Sequence, residues 1–257
     1  MGSMDVKMPV IKYGEITYEG KPILYVVKAT KTSYINYMKV LMMAEELGID
    51  YDISVVVTKD EWYHRIHPER YVPTIHDQDP ATKQEIIVFE STACLQYLAE
   101  MYDKEGLWYG KTQHEKGNIL SWIAYQTAGL GATSKYWLYF YAVHDEKLPK
   151  TIEKYENPTS ILHEFIYLTE IYRLYANVLK QWDIMEKRLS EPEQTYIALK
   201  DRPTVADLAY LPFAMPYMFE FMKVKIEDWP KIKEWSDRML SRPAVSRILE
   251  FAPTIGN

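Results

Sequence analysis

Val72-Pro73-Thr74-Ile75 constrains this chain more than any other stretch, because it sets a proline inside an extended apolar run. Proline has no N–H and cannot donate to a strand ladder, so it belongs at a strand start, an edge or a special turn. A cis Val72-Pro73 bond at the head of a strand meets that demand. It leaves the Val72 N–H and C=O free to pair with an outside peptide. About 17 residues later a second apolar run, Ile86-Ile87-Val88-Phe89, ends in Glu90-Ser91 and turns helical. A carboxylate and a hydroxyl then stand at a helix N-terminus, whose unpaired N–H groups attract a carboxylate ligand. One element suits a peptide backbone and the other an amino acid with both charges exposed.

Around these two elements, strand-like and helix-like stretches alternate from Pro22 to Tyr102. Ile23-Leu24-Tyr25-Val26-Val27 and Tyr51-Asp52-Ile53-Ser54-Val55-Val56-Val57 read as strands. Between them Ile35, Met38, Leu41 and Met42 recur at helical spacing up to Gly48, the favoured residue past a helix end. A short helix is expected over 60–66, strands at about 73–77 and 85–89, and a helix over 91–101 with Cys94, Tyr97, Leu98 and Met101 on one face. His76-Asp77-Gln78-Asp79-Pro80 marks the turn between the two strands. A strand–helix–strand unit favours parallel pairing, and two strands close in sequence favour an antiparallel hairpin. The order is βαβ-α-ββ-α, a mixed sheet of thioredoxin-like design.

Asp103 to Thr112 carries Gly106 and Gly110 and reads as a linker. Beyond it no strand pattern stands out, and helices are expected at roughly 113–143, 149–156, 163–189, 204–222 and 230–240. Thr204-Val205-Ala206-Asp207 has the form of a capping box, a folding element with no chemistry. The expected division is an α/β domain over 9–103, a linker over 104–112 and an all-α domain over 113–257.

Composition excludes several classes of function. Net charge is −6, which argues against a nucleic-acid binder, since phosphate neutralisation needs a basic face. A single cysteine allows no intrachain disulfide and no zinc cluster, so no metal is expected. Cys94, on the apolar face of its helix, reads as a small buried hydrophobe. The sequence carries neither a run of 18 apolar residues nor a signal-peptide pattern, so no membrane partner is expected and the location expected is cytoplasmic. The 22 tyrosines and 7 tryptophans serve packing for the most part. The cluster Tyr136-Trp137-Leu138-Tyr139-Phe140-Tyr141 is denser than a core helix needs and suits a cavity for a flat organic ligand.

The Val72-Pro73 and Glu90-Ser91 elements together suit a γ-glutamyl tripeptide. On these residues the chain resembles the glutathione S-transferase superfamily, over nearly its whole length after about residue 9. Asn36, three residues before Lys39-Val40, and the segment Trp122-Ile123-Ala124-Tyr125-Gln126-Thr127-Ala128-Gly129 resemble the branch of the fungal nitrogen-regulator (prion) protein and its bacterial relatives. Departures are Ile35 and Tyr37, where that branch has proline and glycine, and Ala132-Thr133-Ser134-Lys135, where it has Pro-Met-x-Gly.

The resemblance implies that Glu90 and Ser91 hold the γ-glutamyl end of glutathione, and that Val72, ahead of Pro73, pairs with the cysteinyl unit. Asn36 or Ser33 would stabilise the thiolate. Either could equally be the N-cap of the first helix, and Ser91 that of the next. Lys59, Arg65, His67 and Arg70 lie where a cation could meet the glycyl carboxylate. Of these Arg70 and Lys59 are the candidates, since Tyr71 stands where the branch often has arginine. Tyr136, Trp137 and Phe140 are candidates for the second-substrate pocket. The activity implied is a glutathione transferase acting on an electrophilic hydrophobic or aromatic small molecule, with a lean towards natural-product tailoring, as a homodimer. Glutathione-dependent isomerisation or disulfide reduction would use the same bound thiolate, and a non-catalytic glutathione-binding regulator is the alternative outside enzymology.

Overall fold

The computed structural model describes residues 8–30, 33–143 and 158–257, and only the backbone of residues 142, 143 and 158–171. A five-stranded mixed sheet comprises β1 (Val10–Tyr13), β2 (Ile23–Val26), β3 (Asp52–Val55), β4 (Thr74–Gln78) and β5 (Glu85–Phe89), in the order β1-β3-β2-β4-β5. β3 runs parallel to β1 and β2, with Leu24 opposite Ile53. β4 runs antiparallel to β2 and β5, with Ile75 opposite Leu24 and Val88. Every residue of β2 and β3 is buried, as in strands covered on both faces. The period of two sorts them. Leu24, Val26, Ile53 and Ile75 face the main core, while Ile23 and Tyr25 pack with Val56 and Tyr63 on the other side. β1 is an addition to the sequence reading. It is a four-residue edge strand with no buried residue, too short to show a pattern.

Two helices cover the main face, α1 (Tyr37–Leu47) and α2 (Ser91–Tyr102). α1 stops at Gly48, whose φ of 64° is left-handed and whose N–H bonds back into the last turn. The expected helix at 60–66 is a 3-10 turn, Glu61–Arg65.

Among the described residues everything after α2 is helical or irregular. α3 (Gln113–Gln126) runs through a π turn, Thr127–Gly131, into α4 (Ala132–Leu138) and a second π turn, Tyr139–Val143. Gly129 and Gly131 sit in the first π turn, where a Cβ on Gly129 would meet the Gln181 side chain at 2.6 Å. The helix expected at 149–156 lies outside the described residues. α5 spans Pro158–Leu189. The single helix expected over 204–222 is three pieces: α6 (Val205–Tyr210), a 3-10 turn at Leu211–Phe213 and α7 (Pro216–Phe221). Pro212 and Pro216 remove the amides that a continuous helix needs. Asp207 closes the capping box: its Oδ2 accepts from the Thr204 N–H at 2.8 Å.

After α8 (Pro230–Leu240) comes a helix the sequence reading omitted, α9 (Pro243–Phe251), which starts on its proline. It packs on α1. Arg242 makes a bidentate pair with Glu46 at 2.5 and 2.7 Å, and Arg247 reaches Glu45 at 3.1 Å. The last residues then close on the segment after β2, where the Ala29 N–H donates to the Ile255 carbonyl at 2.9 Å. The architecture is a thioredoxin-like α/β domain followed by an all-helical one.

Candidate active site

The Val72-Pro73 bond is cis, and β4 begins immediately after it. The loop ahead of it is set from the core. The hydroxyl of buried Tyr63 donates to the Tyr71 carbonyl at 2.9 Å and lies 3.4 Å from Thr74 Oγ1. Burial raises that phenol well above its ordinary value, so it stays a donor. Val72 is half-buried, and its N–H and C=O make no hydrogen bond with another described residue. This is the arrangement expected of a backbone edge kept for a peptide.

β5 delivers the second element. Glu90 is exposed, with φ 72° and ψ 125°, and takes the cap position of α2, so Ser91 is the first helical residue rather than the N-cap. The first helical bond runs from Cys94 N–H to the Glu90 carbonyl at 2.9 Å. The Ser91, Thr92 and Ala93 amides precede it, at the positive end of the helix. Ser91 Oγ accepts from Lys39 Nζ at 3.3 Å, and Thr92 Oγ1 meets Thr127 Oγ1 of the π turn at 3.0 Å. Lys39 belongs to α1 and is 1% exposed, with its ammonium 4.9 Å from the Phe213 ring. Burial pulls that ammonium down to about 7, and the Glu90 carboxylate pulls the other way.

Ser33 and Asn36 lie on the turn that enters α1. Ser33 Oγ accepts from the Thr30 N–H at 2.8 Å and donates its only proton to the Lys28 carbonyl at 3.0 Å. Asn36 holds the cap position of α1 but makes no cap bond, because the backbone there is already helical and the side chain is exposed. Of the two, Asn36 has a free amide.

The expected cations share one loop. Arg70, itself at φ 57°, donates from Nε to His64 Nε2 at 2.7 Å and from a terminal nitrogen to the Lys59 carbonyl at 3.1 Å. Lys59 is exposed. Arg65 is taken by Glu15 at 2.5 Å. His67 is buried against Phe89, and desolvation lowers its pKa, so it is a neutral packing group. Cys94 is buried, and burial drives its thiol far up, as a structural cysteine requires.

The three pocket candidates differ in exposure. Trp137 is buried, stacked on Tyr141 at 4.9 Å and edge-on to Phe221 at 5.5 Å. Tyr136 is exposed, and Phe140 packs edge-on against Tyr139. Other residues join the helical part to the sheet loops. Lys135 Nζ lies 4.7 Å from the Tyr71 ring, so the divergent segment Ala132-Thr133-Ser134-Lys135 meets the residue just before Val72. Tyr217 of α7 lies near Tyr34, beside Ser33, and its phenol is raised by burial first and by Tyr34 second. The sequence held one signal for the Lys39 contact: a lysine in the midst of the apolar run Met38 to Met43. Nothing in spacing alone linked Lys135, Tyr217 or Phe213 to the α/β domain, since those contacts are purely tertiary.

Among the described residues no cluster of three or more histidines, cysteines, aspartates or glutamates could hold a metal ion, and no helix is long and apolar enough to cross a membrane.

The glutathione S-transferase N-terminal domain matches residues 36–101, and the glutathione S-transferase C-terminal domain matches residues 170–243. Glutathione S-transferase aclG of Aspergillus oryzae is 54% identical over 245 residues, covering 93% of this chain and 99% of that one. The trimodular acetylaranotin synthesis protein ataIMG of Aspergillus terreus is 51% identical over 227 residues, covering 88% of this chain and 21% of that protein. Among solved structures, a glutathione transferase homolog from Lodderomyces elongisporus with two GSH per subunit is 28% identical. It covers 91% of this chain and 99% of its own, at a TM-score of 0.69. Ure2p in complex with glutathione shares the fold at 20% identity and a TM-score of 0.72, covering 91% of this chain and 95% of its own. With both domains matched and a near full-length relative at this identity, the chain belongs to the glutathione S-transferase family.

Proposed function

We propose that this transferase binds glutathione across Val72 and the N-terminus of α2, and attacks an electrophilic carbon with its thiolate. The Val72 backbone, turned outward by Pro73, pairs with the cysteinyl unit. Glu90 receives the γ-glutamyl ammonium, and Ser91 with the first α2 amides receives the carboxylate. The Asn36 amide donates to the sulfur. Ser33 shapes the turn instead, since its proton is committed to Lys28. Lys59 and Arg70 offer positive charge to the glycyl carboxylate. The observation that carries this reading is an unpaired Val72 backbone and an open helix N-terminus at the two ends of one hairpin, β4 and β5.

The second substrate is read as a hydrophobic or aromatic intermediate of natural-product assembly. The relative named for acetylaranotin synthesis supports it, as do the aromatic cluster and the Lys135–Tyr71 contact where the chain departs from its branch. Tyr136 and Phe140 are the residues of the original set with surface to offer, and Trp137 holds their helix in place. The division into 9–103, 104–112 and 113–257, a homodimer and a cytoplasmic location complete the proposal.

The test is a pH titration of bound glutathione by thiolate ultraviolet absorbance. Ionisation at neutral pH that disappears in Asn36→Ala, with binding retained, supports the reading. No binding would overturn it, and ionisation unchanged in Asn36→Ala but lost in Ser33→Ala would reverse the assignment.

A further inference from the structure

The connection between β2 and α1, Val27 to Asn36, carries the candidate thiol-activating residues and contains neither glycine nor proline. Its composition therefore does little to fix its own backbone. Asn36 makes no cap bond and its side chain is exposed, so its amide points where the connection places it. Ser33 ties part of the connection together. Its N–H donates to Thr30 Oγ1 at 3.2 Å, and its Oγ accepts from the Thr30 N–H at 2.8 Å and donates to the Lys28 carbonyl at 3.0 Å. The Lys28 carbonyl and the Ala29 N–H belong to one planar peptide, and distant residues hold its other side. The Ala29 N–H donates to the Ile255 carbonyl at 2.9 Å, and the Ala29 carbonyl accepts from Asn257 Nδ2 at 3.3 Å. Ala29 and Ile255 are both buried. Gly256 stands against Lys28 at a φ of +75°, and a Cβ there would lie 3.2 Å from Lys28 Cα. The segment has its own turn: Asn257 Nδ2 also donates to the Pro253 carbonyl at 3.0 Å, and the Asn257 N–H to the Thr254 carbonyl at 3.1 Å.

We propose that the segment Ile255-Gly256-Asn257 positions the thiol-activating turn, with Gly256 and Asn257 as positioning residues that act through Asn36 on the glutathione sulfur. This rests on the reading that the Asn36 amide donates to that sulfur. The segment holds the connection near one end, where it takes both backbone groups of Ala29. At the other end α9, which leads into the segment, is paired to α1 through Arg242–Glu46 and Arg247–Glu45, and α1 begins at the residue after Asn36. Both ends of the connection are thus fixed to one element of the helical domain. A hydrogen bond weakens steeply as its angle and length depart from the optimum, so a small displacement of Ala29 is felt at the sulfur. The γ-glutamyl end lies at β5 and α2, apart from this contact. The segment therefore governs ionisation of the thiol, and affinity for glutathione only through the share that the sulfur contributes.

The experiment follows the thiolate absorbance of bound glutathione against pH in wild type, Gly256→Ala and Asn257→Leu, and in each combined with Asn36→Ala. Gly256→Ala sets a Cβ against Lys28 in a backbone conformation that alanine disfavours, and Asn257→Leu keeps the size but loses the donor. Asn36→Ala alone should raise the pKa of the bound thiol by about 1–2 pH units, the scale of a hydrogen bond to a charged group. Gly256→Ala and Asn257→Leu should each raise it by about 0.5–1 pH unit, and neither should add to the effect of Asn36→Ala, because their influence passes through that amide. The probe γ-glutamyl-alanyl-glycine, which lacks only the sulfur, should bind these two variants as it binds wild type by calorimetry. A segment that merely supports the fold would change affinity for this probe as well. A bound thiol titrating as in wild type in both variants, or an equal rise in the Asn36→Ala background, overturns the proposal. An unchanged pKa in Asn36→Ala itself is a distinct result: it removes the Asn36 reading, and the proposal with it.

Discussion

Glu90 combines two opposing roles, and one pair of substitutions separates them. Its φ of 72° with ψ of 125° lies outside the regions an L-residue prefers. Such a conformation costs roughly 1–3 kcal/mol and persists where the surroundings over-determine it. Here Glu90 is the single residue between the end of β5 and the start of α2, so the reversal falls on it alone. Glycine carries no Cβ and adopts this backbone freely, at a cost of about 0.5–1 kcal/mol against alanine in unfolded-state entropy. Glu90→Gly should therefore be more stable than Glu90→Ala by roughly 0.5–2 kcal/mol. At an ordinary position the order would be reversed. Both variants lose the same carboxylate and its attraction to Lys39, so those effects cancel in the comparison. Urea unfolding with linear extrapolation reads the difference, and melting temperature should follow by about 2–4 °C per kcal/mol. Both variants should also bind glutathione about 10- to 150-fold more weakly than wild type, for the loss of one charge-assisted contact. An alanine variant as stable as the glycine variant, or more so, would refute the strain. Equal loss of stability with unchanged affinity would refute the contact.

Four further outcomes follow from named contacts. Asp207 is buried and accepts from Thr204 N–H at 2.8 Å, Ile197 N–H at 2.9 Å and Trp235 Nε1 at 2.8 Å. Asp207→Ala strands these donors and should cost about 3–5 kcal/mol in urea unfolding, against about 0.5–2 kcal/mol for Thr204→Ala. Lys39 has an ordinary value of 10.5 and one of about 7 in the fold, so between those values the unfolded chain binds more protons. Its contribution to stability should rise from pH 7 towards 10, seen as wild type gaining on Lys39→Met by a few kcal/mol; a constant gap would contradict the burial. Gly256 has φ +75°, and a Cβ there would stand 3.2 Å from Lys28 Cα. Gly256→Val should cost about 1–3 kcal/mol and weaken glutathione binding through the turn bearing Ser33 and Asn36; binding unchanged would show that turn to be independent of the chain's end. Cys94 should resist a thiol reagent in the native protein and react on unfolding, and rapid native labelling would contradict its burial.

The local features of this fold were legible because each has a local cause. Pro73 alone required a special start to β4. Short strand-like runs marked β2 to β5, and a capping pattern marked the start of α6. The misses have causes too. β1 is four half-exposed or exposed residues paired with β3, so it does not announce itself over a short window. α9 does carry an amphipathic pattern, with Ala244, Val245 and Ile248 buried, but it is only nine residues long and follows α8 after two residues. The run read as one helix over 204–222 is divided by Pro212 and Pro216, whose missing amides outweighed an apolar pattern that continued through them.

At the site, the sequence by itself determined which groups were on offer: a backbone edge at Val72, a carboxylate and hydroxyl at Glu90-Ser91, and an amide or a hydroxyl before α1. It determined the family, because those groups recur at fixed distances along the chain. Only the tertiary structure decided what each was free to do. The Ser33 proton is spent on a carbonyl five residues back, while Asn36 is left open. Trp137 is enclosed by Tyr141 of its own next turn and by Tyr175 and Phe221 from distant helices. Lys39, an ordinary surface residue by its chemistry, is sealed between Ser91 and Phe213. Hydrogen-bond partners and solvent exposure are set by which elements pack together, and no periodicity in the chain records that.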